Sequence, residues 1–387
     1  MTSRSPAFRF VFVMGIVNLF ADMAYEGARS VAGPFLAHLG ASGLVVGIVA
    51  GSGEMIGYAF RFFSGTAADR SGRHWPIALF GYAVNLLCVP ALALANSWPA
   101  AAGLLVGERF GRGIRKPVIG AMLSHAGSQL GHGWVFGFNE AMDQTGATIG
   151  PLIVALVIAL GGGFTSAFAG LAIPAIVALV VLAFARRAYP SPSGLESSKP
   201  LTFAGFHGAF WTYAAAGACI AAGFADFALI SYRFSEAHLF SNASVPILYA
   251  GAMLLGVVAA PLFGKWYDRA GVVVPLAAFA VSAGFAPLCF LGGVGAAIGG
   301  LLLWGIGMAA QESLLPSMIA GVTAPARRAT AFGAFDAVYG VAWFAGSAAM
   351  GALYDVSVGW LVVFSVAVQL AALPLLLLGS KAARRNA

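Results

Sequence analysis

The sequence predicts an all-α membrane protein with twelve transmembrane helices in two pseudo-symmetric six-helix bundles. Three observations predict it. Of 387 residues, 60% are hydrophobic and only 9% are charged, whereas an ordinary soluble domain carries about 25% charged residues. Apolar runs recur along the whole chain, long enough to cross a bilayer, which takes roughly 20 residues of helix. One string is also found twice. Gly65-Thr-Ala-Ala-Asp69-Arg70-Ser-Gly72-Arg73 and Gly264-Lys-Trp-Tyr-Asp268-Arg269-Ala-Gly271 share the spacing G-x-x-x-D-R-x-G at an offset of 199 residues. The runs lack the period-2 alternation that a membrane barrel requires.

The first span, 8–38, has Arg4 before it and Arg9 at its start, ahead of the apolar run. A basic start before an apolar run also marks a signal peptide. Here no small-residue cleavage site follows, and the run continues into Asp22, Glu26 and Arg29, so it is read as a retained span. The second, 42–68, carries Glu54, Tyr58 and Arg61 and ends in the first copy of the repeated string. There Gly65 lets helices approach and Gly72 permits a tight turn, while Asp69, Arg70 and Arg73 are placed to reach helix termini and partner charges. The third, 75–95, is uncharged; the fourth, 98–118, holds Glu108, Arg109, Arg112 and Arg115 and is expected to end at Pro117.

The fifth span, 134–160, holds Glu140, Asp143 and Gln144 together with Gly137, Gly146, Gly150 and Pro151. Gly146 and Gly150 lie on one face and admit a second backbone; Pro151 removes a hydrogen bond and bends the helix. The sixth, 164–187, closes on Arg186 and Arg187. A Pro/Ser-rich linker, 188–205, then separates a first bundle, 1–187, from a second, 206–387.

The second bundle repeats the plan with spans 206–232, 243–264, 272–293, 296–319, 328–353 and 358–380. Its charges are sparser. Asp226 lies in the first of these spans, Gln311 and Glu312 in the fourth, which is expected to end at Pro316, and Asp336 in the fifth. Phe136-Gly137-Phe-Asn-Glu140 parallels Phe332-Gly333-Ala-Phe-Asp336 at an offset of 196, close to that of the repeated string.

The net charge of +7 is explained by topology, without nucleic acid as a partner. Seventeen of 21 Lys and Arg fall in or beside loops of one side, while the opposite loops at 39–42, 96–99, 161–163 and 292–295 are nearly uncharged. By the positive-inside rule both termini are cytoplasmic, in a multi-pass protein of a bacterial cytoplasmic membrane. Cys88, Cys219 and Cys289 lie in separate spans and the six histidines lack ligand spacing, so no disulfide framework, metal site or cofactor is expected. No Ser–His or Cys–His pairing and no H-E-x-x-H motif is present, which argues against an enzyme.

Nine acids nonetheless fall inside spans: Asp22, Glu26, Glu54, Glu108, Glu140, Asp143, Asp226, Glu312 and Asp336. On insertion scales an ionised group at mid-bilayer costs roughly 2.5–3.5 kcal/mol. So many retained acids must face water, pair or carry protons. Asp22, Glu26 and Arg29 form one stripe at i, i+4 and i+7, and Glu54–Tyr58–Arg61 and Glu108–Arg112–Arg115 repeat that spacing. Some pairs are expected to be structural, such as Arg61 or Arg112 with Glu140 or Asp143. The first bundle thus reads as the coupling half, with Asp22, Glu26, Arg29, Glu54, Arg109, Glu140 and Asp143. Asp22 and Glu26 are the leading proton carriers, biased by Arg109.

These residues resemble the major facilitator superfamily over the full chain. Gly65, Asp69, Arg70, Gly72 and Arg73 match its loop 2–3 motif, with His74 where a second basic residue is usual. Gly264, Asp268, Arg269 and Gly271 match the weaker copy in loop 8–9, and Arg109-Phe-Gly-Arg-Gly113 matches the intramembrane Arg motif. Gly137, Gly146 and Gly150-Pro151 resemble the antiporter motif of proton-coupled exporters, although Val154-Ala155 replaces its trailing Gly-Gly. Tyr25-Glu-Gly-Ala-Arg29-Ser, Gly53-Glu54 and Gly111-Arg-Gly-Ile-Arg-Lys-Pro117 resemble a bacterial branch without an assigned substrate, with Ile119-Gly120 where that branch has an Arg-Asp pair.

The resemblance implies secondary active transport by alternating access, energised by a proton gradient. The loop motif would act as a gate. Spans 1, 4, 7 and 10 would line a substrate cavity, giving Tyr25, Asp226, Gln311 and Glu312 as cavity groups, with Asp336 of span 11 counted beside them. The leading expectation is proton-coupled efflux of a small organic molecule by a monomer in the lipid bilayer. Alternatives are a symporter or uniporter importing a metabolite and, more remotely, a membrane receptor or intramembrane enzyme.

Overall fold

A computed structural model of the chain describes residues 6–190, 208–323 and 328–386. The side chains of Asp69, Arg70 and Arg328, and the linker beyond residue 190, lie outside the described residues. Among the described residues every regular element is helical. In order they are α1 (Pro6–Arg29), α2 (Ala32–His38), α3 (Gly43–Ser71), α4 (His74–Ala91) with a 3-10 turn at Leu92–Leu94, α5 (Trp98–Leu130) and α6 (His132–Ala159). Next come α7 (Gly163–Gly170), α8 (Ala172–Ala188), α9 (Gly208–Gly223), α10 (Phe227–Glu236) and α11 (Ser244–Ala270). The chain closes with α12 (Val273–Ser282), α13 (Phe285–Leu291), α14 (Val294–Gly321), α15 (Arg328–Val356) and α16 (Val358–Asn386).

Eleven described helical stretches are long and apolar enough to cross a membrane. The twelfth expected span is α5. It is 33 residues long, but Glu108, Arg109, Arg112, Arg115 and Lys116 interrupt its apolar run. Its departure from apolarity is what makes it informative.

The helices correct the expectation that Pro117 and Pro316 end their spans. Both lie inside helices, which continue to Leu130 and Gly321. A proline lacks the N–H that would bond the carbonyl four residues back. For Pro117 that carbonyl is Gly113 C=O, and Ser64 Oγ of α3 donates to it at 3.3 Å. Substitution of one donor for another lets the helix run on.

The sequence reads the first span of each bundle as continuous, yet both are interrupted. α1 stops at Arg29 and α2 resumes at Ala32, with Ser30 Oγ donating to Gly27 C=O at 2.6 Å. In the second bundle the helix breaks at 224–226, between α9 and α10. Backbone groups freed inside a membrane cost several kcal/mol each unless other groups take them up. Here Ser365 Oγ and Gln369 Nε2 donate to Gly223 C=O at 2.6 and 3.0 Å, and Trp304 Nε1 donates to Ala225 C=O at 2.9 Å. The Asp226 carboxylate accepts from the Ala228 N–H at 2.9 Å and caps α10.

By compactness the chain divides into two units, each described separately. One comprises Met1–Gly40, Ile56–Lys199 and Asn242–Ala250; the other comprises Ala41–Met55, Pro200–Ser241 and Gly251–Ala387. In the first unit α1 packs along α6 and α8, and α4 along α5. The α1–α6 seam requires glycine, since a Cβ at Gly146 would lie 2.3 Å from Leu19 O and one at Gly150 2.1 Å from Met23 O. Gly137 differs, with nothing within 4 Å of its would-be Cβ, and Gly65 has only Pro117 Cβ at 3.5 Å. In the second unit α9 packs along α15 and α16. Gly72 and Gly271, the last glycines of the repeated string, have φ of +66° and +58°. The two copies therefore make the same left-handed turn.

Candidate functional site

The polar stripe of α1 is buried. Asn18, Asp22, Tyr25, Glu26 and Arg29 are all less than a tenth exposed. α5 presents the second stripe, with Glu108 and Arg115 each 4% exposed and the Arg109 and Arg112 side chains 12% and 16% exposed. Residues three and four apart share a helix face, so each stripe forms one continuous row. The rows meet in antiparallel register: higher numbers on α1 face lower numbers on α5.

At one end of this contact Arg115 Nη2 lies 2.9 Å from Asp22 Oδ1. Its guanidinium sits 4.6 Å from the Tyr82 ring centroid, and its Nη1 donates to Asn18 Oδ1 at 3.4 Å. Next along, Arg112 Nη2 approaches Glu26 Oε1 at 4.0 Å and Arg29 Nη1 approaches the same oxygen at 3.9 Å. The other oxygen of Glu26 accepts from Tyr249 OH at 2.5 Å. The Tyr25 hydroxyl is the hub. It accepts from Arg109 Nη1, from Arg112 Nη1 at 2.8 Å and from Arg29 Nη1 at 3.5 Å. Arg112 and Arg109 also lie 4.2 and 4.9 Å from the Tyr25 ring centroid. Glu108 closes the row: Arg109 Nε is 3.5 Å from its Oε2, and Asn85 Nδ2 donates to its Oε1 at 2.5 Å.

Desolvating charges costs several kcal/mol per ion, offset only where pairing and hydrogen bonds are good. This row meets that condition by sharing: each acid meets at least one guanidinium, and Arg112 and Arg109 each serve more than one oxygen. A change at one member therefore alters the partners left to the next.

Asp143 on α6 is different. It is 9% exposed, and its Oδ2 accepts only from Asn139 Nδ2 at 3.4 Å. Its Oδ1 is buried without a hydrogen-bond partner, and among the described residues it forms no ion pair. The expected pairing of Arg61 or Arg112 with Glu140 or Asp143 is not what the register gives. Arg112 faces Glu26, Arg61 lies 4.5 Å from the Tyr58 ring centroid, and exposed Glu140 accepts from Gln144 at 2.8 Å. Glu54 is half-buried on α3.

In the second unit the expected cavity groups differ in exposure. Asp226 is buried at the α10 cap, Asp336 is half-buried, and Glu312 is exposed. Gln311 accepts from Tyr339 OH, and its Nε2 donates to Gly307 C=O at 3.2 Å. Around it lie aromatic rings: Tyr339 with Trp343 at 5.7 Å, and Phe224 with Trp304 at 5.9 Å. Among the described residues no group of His, Cys, Asp and Glu could hold a metal ion. A separate cavity of about 560 Å³, bordered by Phe35, His38, Asn96 and Phe164, includes none of the candidate site residues.

Sequence reasoning missed the amide and phenol members: Asn18, Tyr82, Asn85, Asn139 and Tyr249. A signal existed for some of them. Asn18 stands four residues before Asp22 and Asn139 four before Asp143, so each extends an acid's helical row. Asn85 is a lone amide in an uncharged span.

Comparison with known proteins agrees with this architecture. The profile of the Major Facilitator Superfamily matches residues 14–347. An uncharacterised protein of Mycobacterium tuberculosis is 40% identical over 380 residues, covering 95% of this chain and 92% of that protein. An uncharacterised MFS-type transporter of Methanocaldococcus jannaschii is 27% identical over 185 residues, 47% of this chain and 46% of its own. Among solved structures, a bacterial homologue of the human lysosomal transporter Spinster, inward-facing and unoccupied, superimposes with a TM-score of 0.77 at 14% identity, covering 99% of both chains. A nucleoside transporter does so with a TM-score of 0.77 at 13% identity, covering 95% of this chain and 99% of its own.

Proposed function

The chain belongs to the major facilitator superfamily, and on that premise we propose that it couples efflux of a small organic molecule to proton entry by alternating access. As a member it is a multi-pass membrane protein and a secondary transporter. The proton-coupled reading rests on one observation: the shared charge row of Asp22, Glu26 and Glu108 with Arg29, Arg109, Arg112 and Arg115. Such a row suits coupling because neutralising one acid frees a guanidinium, and buried ions do not stay unpaired. The α1–α6 glycine seam at Gly146 and Gly150 is the part of the antiporter-like motif with a physical requirement, and it supports efflux.

In this reading the proton gradient is the energy source, no cofactor takes part, and the protein works as a monomer in a cytoplasmic membrane with both termini inside. Gly65, Asp69, Arg70, Gly72 and Arg73, with Gly264, Asp268 and Arg269, act as cytoplasmic gate turns. A second reading is favoured by the Tyr25 hub. Three guanidinium groups around one neutral hydroxyl suit an anionic cargo moved together with its proton, which is symport.

The test uses inside-out vesicles with a respiration-driven pH gradient and a pH-sensitive dye. Cationic, neutral and anionic compounds are added in turn to wild type and to Glu26→Gln. Antiport is supported if one class collapses the gradient in wild type alone. If no class collapses it while a labelled compound still equilibrates, the proton-coupled reading fails and uniport replaces it.

A further inference from the structure

We infer that Asp143, not Asp22 or Glu26, is the side chain that holds the transported proton, with Asn139 and Asn18 as positioning residues that connect it to the Asp22–Arg115 pair. This deepens the proton-coupled reading and rests on it for what the proton is used for. The assignment itself concerns where a proton sits, which can be read without transport.

The argument compares the buried carboxylates by what each would lose on ionising. Asp22 has a guanidinium nitrogen at 2.9 Å. Glu26 has two guanidinium groups near one oxygen and a tyrosine hydroxyl at 2.5 Å on the other. Glu108 has an arginine nitrogen at 3.5 Å and an amide donor at 2.5 Å. All three have at least one guanidinium nitrogen within 4.0 Å. Asp143 is furnished as an acid: one oxygen receives a single long amide hydrogen bond, and the other, fully enclosed, receives none. An ionised carboxylate left that way is expensive, whereas a carboxylic acid loses less even with its O–H lacking an acceptor, because a buried unpaired hydroxyl costs far less than a buried unpaired charge.

The charged surroundings agree. The charged and titratable groups whose fields reach Asp143 are Asp22 from α1, Arg115 and Lys116 from α5, and Glu140 one turn away on its own helix, with the Tyr82 phenol from α4. Arg115 is already engaged with Asp22, Lys116 favours ionisation but from an exposed position that solvent screens, and the two other carboxylates oppose a further negative charge. The connecting amides have fixed direction. Asn139 donates to Asp143 Oδ2 and accepts from Asn18 Nδ2 at 2.6 Å, and Asn18 Oδ1 accepts from Arg115 and Tyr82. Arg115 also keeps a buried Nε–H without an acceptor.

Both parts of an exchange are thus present, an acceptor oxygen without a donor and a donor without an acceptor. When the O–H bond of Asp143 breaks and its proton passes to water, the carboxylate it leaves gains the share of Arg115 that Asp22 gives up. Binding a proton reverses the step. The proton therefore reaches α1 as a change in pairing, along a path through α6, α1 and α5.

The experiment is infrared spectroscopy of the purified full chain in lipid at neutral pH, with the side-chain carboxyl carbon of aspartate isotopically labelled. The expected result is a label-sensitive band of protonated aspartic acid in wild type. It is lost in Asp143→Asn, retained in Asp22→Asn, and moved to the glutamate-labelled set in Asp143→Glu. Absence of a protonated aspartic band in wild type overturns the assignment without any variant. So does its survival in folded Asp143→Asn. In the dye assay Asp143→Asn should still exchange labelled compound across the membrane but lose all response to the pH gradient. A band present with no proton-linked transport in wild type would leave the site and remove the coupled function, so the two failures are separable.

Discussion

At the scale of single residues, the buried charge row is held by balance. Asp22 and Arg115 are 5% and 4% exposed and 2.9 Å apart. Removing one buried partner typically destabilises by about 3–5 kcal/mol, because the survivor is left uncompensated. Asp22→Ala and Arg115→Ala are each expected to lose about that much, and the double variant less than the sum of the two. Unfolding in detergent followed by tryptophan fluorescence checks this, and strict additivity would count against the pair. Tyr25→Phe asks a different question. It keeps the ring under Arg109 and Arg112 but deletes the oxygen they share. A buried donor left unsatisfied costs about 1–3 kcal/mol. Tyr25→Phe is therefore expected to lower stability by about that amount and to abolish gradient-linked transport in the dye assay, while Tyr58→Phe leaves transport intact.

At the scale of elements, glycines of one motif separate by what they touch. Gly150→Ala would set a Cβ 2.1 Å from Met23 O, a backbone atom that moves only with α1, whereas Gly137→Ala meets nothing within 4 Å. Overpacking costs about 1–3 kcal/mol, so Gly150→Ala is expected to reduce folded yield and melting temperature while Gly137→Ala matches wild type. Equal behaviour of the two would sink the seam argument. The same scale shows what a sequence can and cannot disclose. The α1 and α5 stripes were legible because 3.6-residue periodicity turns spacing into a face. Which stripe faces which was not, because register depends on contacts distant in sequence, so Arg112 was matched with Glu140 or Asp143 and not with Glu26. The break at 224–226 was illegible for a similar reason. Its satisfying groups, Trp304, Ser365 and Gln369, lie far along the chain from Gly223 and Ala225. Pro117 looked like a stop until Ser64 supplied the missing donor.

At the scale of the whole molecule, the duplication read from one string extends to features that no string announces. Each bundle's first span is interrupted, at 30–31 and at 224–226, and each copy of the repeated string ends in a left-handed glycine. A duplicated membrane chain of even span number returns to its starting side, so the sidedness of one loop fixes that of all the others. The positive-inside asymmetry then makes a prediction that needs no substrate. After Cys88, Cys219 and Cys289 are replaced by serine, single cysteines are introduced at Ser71, beside the first repeated turn, and at Thr165, in the uncharged turn at the start of α7. Both positions are exposed. A membrane-impermeant maleimide should label Ser71→Cys in inside-out vesicles and not in intact cells, and Thr165→Cys in intact cells and not in inside-out vesicles. Reversed labelling would place the basic loops outside. Proton entry and substrate exit would then exchange directions, and the efflux reading would fail even if the charge row couples as argued. Labelling of both positions from one side would mean that one of the three helices between them does not cross, and the charged α5 is the one that an apolar core would reject. That outcome would take Arg109, Arg112 and Arg115 out of the membrane and with them the physical case that their pairings store a proton's effect.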